Sequence, residues 1–176
     1  MSNEIILVTG GMRSGKSRFA EQLLADRERK VYIATAEVLD DEMRARVAAH
    51  RARRGDGWQT VEAATDLAGA LKQAAAIEDG GVLIDCLTMW LNNLFMANGG
   101  DLDDETAEKE FGKLMDAAGK FPGTVVMVLN QVGDGIVPVN RMARRFCDIS
   151  GKCGQVAASY ADRVYLVTCG IPMRLK

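Results

Sequence analysis

The chain has 176 residues, a length that predicts one domain (residues 1–176) able to bury a hydrophobic core. The formal net charge of −2 argues against a broad nucleic-acid or membrane surface, and no apolar run reaches the about 18 residues of a membrane span. The start of the chain lacks a basic segment followed by an apolar one, so we expect no signal peptide and a cytoplasmic protein.

A glycine-rich loop follows the first predicted strand (residues 4–9) and precedes a predicted helix (15–28). It matches G-x-x-x-x-G-K-[ST] and reads Gly10-Gly11-Met12-Arg13-Ser14-Gly15-Lys16-Ser17. The glycines allow backbone N–H groups to surround a polyphosphate, and Lys16 supplies a positive charge for its β- and γ-phosphates. The Ser17 hydroxyl is placed to bind Mg²⁺. The sequence therefore predicts a phosphate-binding loop.

A second predicted strand (30–36) ends near Glu37, and a predicted helix (40–54) follows it. If the sheet is parallel, that strand end lies at the same edge as the phosphate loop, where such sheets bind ligands. The helix contains the only histidine of the protein, His50, and five arginines, which are Arg44, Arg46, Arg51, Arg53 and Arg54. One interpretation is a solvated basic helix with an incidental histidine, and the other is a functional one; the composition alone leaves both open.

A short alternating strand (58–63) places Glu62 at its far end as a candidate polar contact. Thr65 or Asp66 then caps a predicted helix that extends to about Ile77. The next strand (82–86) is apolar and buried in character and contains an aspartate, Asp85, at its end. After a phosphate loop in the same chain, this pattern is typical of the carboxylate that binds the Mg²⁺ shell.

The remaining elements continue to alternate between strands and helices. We predict helices at 87–97 and 103–120, a buried strand at 124–130, a glycine-containing loop at 131–138 and helical stretches to about 162. A last strand (163–169) and a short tail (170–176) follow. This alternation predicts a three-layer α/β fold with a mostly parallel sheet and right-handed crossovers.

Several segments together resemble one enzyme family, the bifunctional adenosylcobinamide kinase / adenosylcobinamide-phosphate guanylyltransferases of cobalamin biosynthesis. The resemblance covers nearly the whole chain. It rests on residues 7–17, 32–37, the arginine-rich segment 46–54, 83–91, 132–138 and the C-terminal residues 170–176. The resemblance implies a P-loop NTPase fold of the RecA-like type.

The resemblance also implies two reactions. ATP or GTP phosphorylates adenosylcobinamide, and GTP then transfers GMP to adenosylcobinamide phosphate, which gives adenosylcobinamide-GDP and pyrophosphate. In the family the GMP passes through a histidine that aligns with His50, so His50 and Lys16 are the implied catalytic residues. The implied metal ligands for Mg²⁺ are Ser17 and Asp85, and the implied assembly is a homotrimer. The implied nucleotide contacts are Gly10, Gly11, Met12, Arg13, Ser14, Gly15, Lys16, Ser17, Thr35, Ala36, Glu37, Arg51, Ala52, Arg53, Arg54, Glu62 and Asp85.

The residues agree with this chemistry, because imidazole is a good nucleophile at phosphorus and neighbouring arginines stabilise charge on phosphoryl oxygens. The chain departs from the family pattern at Gln131, Cys147 and Gly154, in the expected corrinoid or subunit-contact region.

Two alternative functions are open. One is a P-loop small-molecule kinase with a structural His50, and the other is a non-catalytic GTP-binding switch, which the lack of an Asn-Lys-x-Asp motif disfavours.

Overall fold

A computed structural model describes residues 3–37, 41–54, 57–75 and 80–176. In the helix at 41–54 it describes the backbone throughout, but not the side chains of Glu42, Met43, Arg46, His50, Arg51 and Arg53. Asp40 and Ile77, which we predicted as helix ends, lie outside the described residues.

Strands and helices alternate along most of the chain. The strands are β1 (Glu4–Gly10), β2 (Lys30–Ala34), β3 (Trp58–Glu62), β4 (Gly81–Asp85), β5 (Thr124–Asn130), β6 (Arg163–Thr168) and β7 (Ile171–Arg174). The helices are α1 (Lys16–Gln22), α2 (Asp41–Arg54), α3 (Leu67–Ala74), α4 (Leu87–Ala97), α5 (Asp104–Gly119) and α6 (Arg141–Tyr160). The Asp66 side chain caps α3 by accepting a hydrogen bond from the Gly69 N–H, as predicted.

The strands form one seven-stranded sheet in the order β3-β2-β4-β5-β1-β6-β7. Every neighbouring pair is parallel except β6 and β7. The predicted three-layer fold with a mostly parallel sheet is therefore confirmed. The register aligns five residues in one row across the sheet, which are Glu62, Ala34, Asp85, Val128 and Val8. The ends of β3, β2 and β4 are therefore level with each other, close to where β1 leads into the phosphate loop.

The central strands are buried on both faces of the sheet, since successive side chains point to opposite faces and most of those in β1, β4 and β5 are buried. In β1, Ile5 and Leu7 belong to the larger core, which also contains buried side chains of α3, α4, α5 and α6. Ile6 and Val8 belong to the smaller core, together with Ala20 of α1. Continuous apolar strands such as β5 follow from this two-sided burial.

Two predicted elements differ from the structure. Helix α1 ends at Gln22 rather than near residue 28, because the following hydrogen bonds join residues three apart, as in tight turns. The predicted C-terminal tail is also wrong in part, since Ile171–Arg174 forms an antiparallel edge strand on β6. None of the helices in the described ranges is long and apolar enough to cross a membrane.

Candidate functional site

The phosphate loop, which lies between β1 and α1, is held by close backbone packing. Gly10 has a φ of +148°, and a Cβ there would lie 2.3 Å from the carbonyl oxygen of Val167 on β6. Gly15 has a φ of +101° and precedes the first residue of α1. The turn between β6 and β7 supports the loop, because the Gly170 N–H donates a hydrogen bond to the Ser14 carbonyl at 2.8 Å. A side chain at Gly10 would thus collide with the neighbouring strand.

Lys16 lies in the phosphate loop as the motif predicts, and its side chain is only 5% exposed. Its ammonium group donates hydrogen bonds to the Gly11 carbonyl and the Ser14 hydroxyl. Burial lowers the pKa of Lys16 from its usual value, while neighbouring Cys86 and Asp85 oppose that shift. Burial also raises the pKa of the Cys86 thiol to about 11, so this thiol stays protonated at neutral pH. A cation inside the loop is the feature that polyphosphate binding requires.

Asp85 ends β4 at the same edge of the sheet. The hydroxyl of Tyr32, on neighbouring β2, donates a hydrogen bond to Asp85 Oδ2 at 3.1 Å. Burial and the Asp85 charge raise the pKa of Tyr32 above its usual value, so the phenol remains a proton donor. Among the residues that the structure describes, the other oxygen of the Asp85 carboxylate has no hydrogen-bond partner.

This donor set fits a magnesium ion. Mg²⁺ prefers hard oxygen ligands and in phosphate-transfer sites takes one or two protein ligands plus phosphate oxygens and waters. The Asp85 carboxylate and the Ser17 hydroxyl carry oxygens of this kind, and their role as ligands stays a prediction. In the described ranges there is no group of three or more His, Cys, Asp or Glu side chains arranged to hold a metal.

Thr35 connects the ends of β2 and β4 from within the protein. Its hydroxyl accepts a hydrogen bond from the Cys86 N–H at 2.7 Å and donates one to the Cys86 carbonyl at 2.8 Å. The buried side-chain amide of Asn93, on α4, donates to the Thr35 carbonyl at 2.8 Å. Thr35 is fully buried, so it fixes the shape of the edge, and its contact with nucleotide stays a prediction. Asn93 was not predicted from the sequence, because it belongs to no motif and its spacing from other polar residues marks no site.

The other predicted contacts at this edge differ in exposure. Ala36 is half-buried, and Glu37 and Glu62 are exposed. Glu62 is level with Asp85, because both pair with Ala34 of β2. Exposed carboxylates at this edge can reach a bound ligand without having to leave a protein partner.

Helix α2 rests on this edge through its last residue. The Arg54 guanidinium carbon lies 3.4 Å from the centre of the Tyr32 ring, a close cation–π contact. The other described side chains of α2 are all exposed, and these are Asp41, Arg44, Ala45, Val47, Ala48, Ala49 and Ala52. His50 precedes Arg54 by four residues, or about one helical turn. The side chains of His50, Arg51 and Arg53 lie outside the described part, so their predicted roles stay predictions.

Of the three departures from the family pattern, Gln131 lies in the loop after β5, and Cys147 and Gly154 lie in α6. The Gln131 N–H donates to the Gly10 carbonyl at 3.0 Å, which ties this loop to the phosphate loop. Cys147 is half-buried beside Gly133. Gly154 packs closely on β5, where a Cβ would lie 3.0 Å from a methyl of Leu129. A glycine thus lets α6 approach the sheet closely at this point.

A family model described as cobinamide kinase / cobinamide phosphate guanyltransferase matches residues 6–175. Three similar proteins cover nearly the whole chain. The bifunctional adenosylcobalamin biosynthesis protein CobU of Salmonella typhimurium is 43% identical, and the alignment covers 98% of this chain and 99% of the relative. The CobU of Escherichia coli is 42% identical with the same coverage. The bifunctional protein CobP of Pseudomonas aeruginosa is 42% identical over 97% of this chain and 96% of its own.

Solved structures of lower sequence similarity share the fold. A KaiC-like protein from Pyrococcus horikoshii OT3 is 15% identical, with a TM-score of 0.54 and coverage of 94% of this chain and 71% of that chain. A prototypical ATPase of a bacterial type III secretion system is 17% identical, with a TM-score of 0.58 and coverage of 95% and 51%. These similarities confirm the predicted P-loop NTPase fold.

Proposed function

The chain belongs to the cobinamide kinase / cobinamide phosphate guanyltransferase family, and we propose that it performs both reactions at the carboxyl edge of its sheet. It is a bifunctional enzyme of cobalamin biosynthesis. Its substrates are adenosylcobinamide and its phosphate, together with GTP and ATP. The proposal rests on one observation. Lys16 and Asp85 lie at the carboxyl edge of the sheet, and Arg54 brings the end of helix α2 to the same edge.

In the kinase reaction, the phosphate loop orients the triphosphate and Lys16 neutralises charge on the β- and γ-phosphates. The hydroxyl of the corrinoid side chain attacks the γ-phosphorus and loses its proton to solvent, while the bond from the γ-phosphorus to the β-phosphate oxygen breaks. Phosphoryl transfer requires mainly positioning and electrostatic stabilisation, so no protein nucleophile is needed. Bound Mg²⁺ supplies further neutralisation of phosphate charge, and Ser17 and Asp85 are the residues that would hold it.

In the guanylyl transfer, His50 is the proposed nucleophile. An imidazole nitrogen attacks the α-phosphorus of GTP, the bond to the β-phosphate oxygen breaks, and pyrophosphate leaves. A phosphate oxygen of adenosylcobinamide phosphate then attacks the same phosphorus and releases the imidazole. Arg51, Arg53 and Arg54 are proposed to stabilise charge on the transferred group. This step distinguishes the enzyme from a kinase, which needs no such residue.

Three further expectations come from the sequence or, for the assembly, from the family resemblance. The assembly as a homotrimer, the cytoplasmic location and the organisation as one domain stay predictions. Light scattering in solution tests the first of them, since a trimer has three times the mass of the 19.1 kDa chain.

A double-label experiment tests the bifunctional proposal. The protein is incubated with Mg²⁺, adenosylcobinamide, and either γ-labelled ATP plus unlabelled GTP or unlabelled ATP plus α-labelled GTP. Among the corrinoids, we expect the γ-label in adenosylcobinamide phosphate and then in adenosylcobinamide-GDP, and the α-label only in the latter. A γ-labelled phosphate that never acquires GMP would favour the small-molecule kinase. Slow GTP hydrolysis with no labelled corrinoid would favour the GTP-binding switch.

A further inference from the structure

We propose that Tyr32 is a positioning residue that fixes the Asp85 carboxylate beside the phosphate loop and seats the last turn of α2 on the same edge. The inference rests on the proposed function, since it gives one residue a part in both reactions. Its consequence is a physical link between the metal-binding carboxylate and the helix that contains His50.

The link to Asp85 follows from strand register. Tyr32 lies two residues before Ala34 on β2, and Ala34 pairs with Asp85 on β4. Residues two apart on a strand share a face, so the Tyr32 side chain and Asp85 are diagonal neighbours. The hydroxyl covers the remaining distance and donates to Oδ2 at 3.1 Å. This bond occupies one carboxylate oxygen and restrains rotation of the carboxylate, so the other oxygen is the one that would bind Mg²⁺.

The link to α2 uses the other part of the same side chain. The Tyr32 ring lies under the Arg54 guanidinium, with 3.4 Å between the guanidinium carbon and the ring centre. Arg54 Nε is buried and has no hydrogen-bond partner within the described ranges. The contact that the structure gives the guanidinium on this side is therefore with the aromatic ring. The Trp58 ring packs edge-on against Tyr32, which keeps the ring in place.

A tyrosine is a costly choice here if only packing is required. Tyr32 is 7% exposed and belongs to the smaller apolar core, with Val8 and Leu83. Burying a hydroxyl is unfavourable unless it is hydrogen-bonded, so phenylalanine would serve the packing equally well. The hydroxyl is thus explained by Asp85, and the aromatic face by Arg54.

The substitution Tyr32→Phe tests the link to Asp85, because it removes the hydroxyl and leaves the ring under Arg54. We compare GTP affinity by calorimetry with Mg²⁺ and with chelator, and kcat and KM for both reactions. Loss of the hydrogen bond should reduce the Mg²⁺-dependent gain in GTP affinity about fivefold and lower both kcat values by a similar factor. The KM for the corrinoid should remain within about twofold.

Tyr165→Phe is the matched control, since Tyr165 is a partly buried tyrosine on β6 whose hydroxyl accepts a hydrogen bond from Arg163 instead. It should leave the Mg²⁺-dependent gain unchanged. A Tyr32→Phe protein with the gain and kcat of the wild type would overturn the proposal. If the wild type transfers no GMP at all, the proposed function fails, but the calorimetric comparison still reports on the link to Asp85.

Arg54→Lys tests the link to α2, because lysine retains the charge but cannot lie flat on the ring. Guanylyl transfer should fall about tenfold more than phosphorylation of adenosylcobinamide, since His50 lies one turn away. An equal decrease in both reactions, or none, would overturn this part of the proposal. Arg54 is the last residue of α2 and is half-exposed, so this variant should fold even if changes at Tyr32 impair folding.

Discussion

The carboxyl edge of the sheet and helix α2 are held in very different ways, although we assign both to one reaction sequence. At the edge, Lys16 and Thr35 are buried, and side-chain hydrogen bonds join β2, β4 and α4. In α2, every described side chain except Arg54 is exposed. The edge is therefore fixed by the same burial that stabilises the fold, whereas the described side chains of α2 contact the edge through Arg54.

The difference indicates how a second activity can be added to a P-loop fold. Phosphate binding uses the loop and strand ends that the sheet positions in any case. Guanylyl transfer needs a nucleophile next to the α-phosphorus, and here the candidate lies on a helix outside the sheet. We therefore expect substitutions at the edge to affect both reactions and the fold, and substitutions in α2 to affect guanylyl transfer selectively.

The largest expected effect is that of Lys16→Ala. Loss of the buried cation should reduce GTP affinity and slow both reactions by about a thousandfold or more, because no other group replaces it beside the phosphates. Calorimetry and product assays measure this, and circular dichroism checks the fold. Lys109→Ala, at an exposed position on α5, is the control and should be neutral. A folded Lys16→Ala protein with unchanged GTP affinity would contradict the assignment of the edge.

Asp85→Asn should have the next largest effect. An amide keeps the shape of the side chain but loses the negative charge, so turnover with Mg²⁺ should fall about a hundredfold in both reactions. GTP affinity measured in chelator should change much less. Titrating Mg²⁺ at fixed GTP checks the cause, and an identical Mg²⁺ dependence in variant and wild type would show that Asp85 does not organise the metal.

The smallest expected effects are on the free energy of unfolding. The same substitution, valine to alanine, is made in the sheet and in α2 so that the two regions can be compared. Val8→Ala, in the buried end of β1, should lower the free energy of unfolding by about 2 kcal/mol, because it leaves a cavity. Val47→Ala, on α2 where the side chain is 36% exposed, should change it by less than about 0.5 kcal/mol. Urea unfolding measures both. Equal losses would mean that α2 is packed as tightly as the sheet.

Much of the fold follows from local sequence, because strands that are buried on both faces are continuous apolar runs. Helix α4 and strand β5 have the predicted bounds, and the phosphate loop lies between β1 and α1 as its motif requires. The C-terminal strand β7 was missed, since an exposed edge strand gains its hydrogen bonds from β6 rather than from a buried apolar pattern.

The candidate site was predictable only in part, for a similar reason. Lys16 and Asp85 stand in recognisable patterns, so the sequence identified them. Tyr32 has no motif, and its contacts with Asp85 and Arg54 join residues that are 53 and 22 positions apart and lie on different elements. The sequence offered one usable signal, which is a tyrosine in an otherwise apolar strand whose hydroxyl needs a partner. Such contacts depend on strand order, which periodicity does not specify.

The most direct test of the two-region account is covalent labelling by α-labelled GTP and Mg²⁺. The account predicts label on the protein at His50, with release of pyrophosphate. A phosphorus–nitrogen bond should be labile in acid and stable in alkali, and adenosylcobinamide phosphate should discharge the label. His50→Ala should take no label and make no adenosylcobinamide-GDP, yet still phosphorylate adenosylcobinamide. A His50→Ala protein that makes adenosylcobinamide-GDP at the wild-type rate would contradict the account.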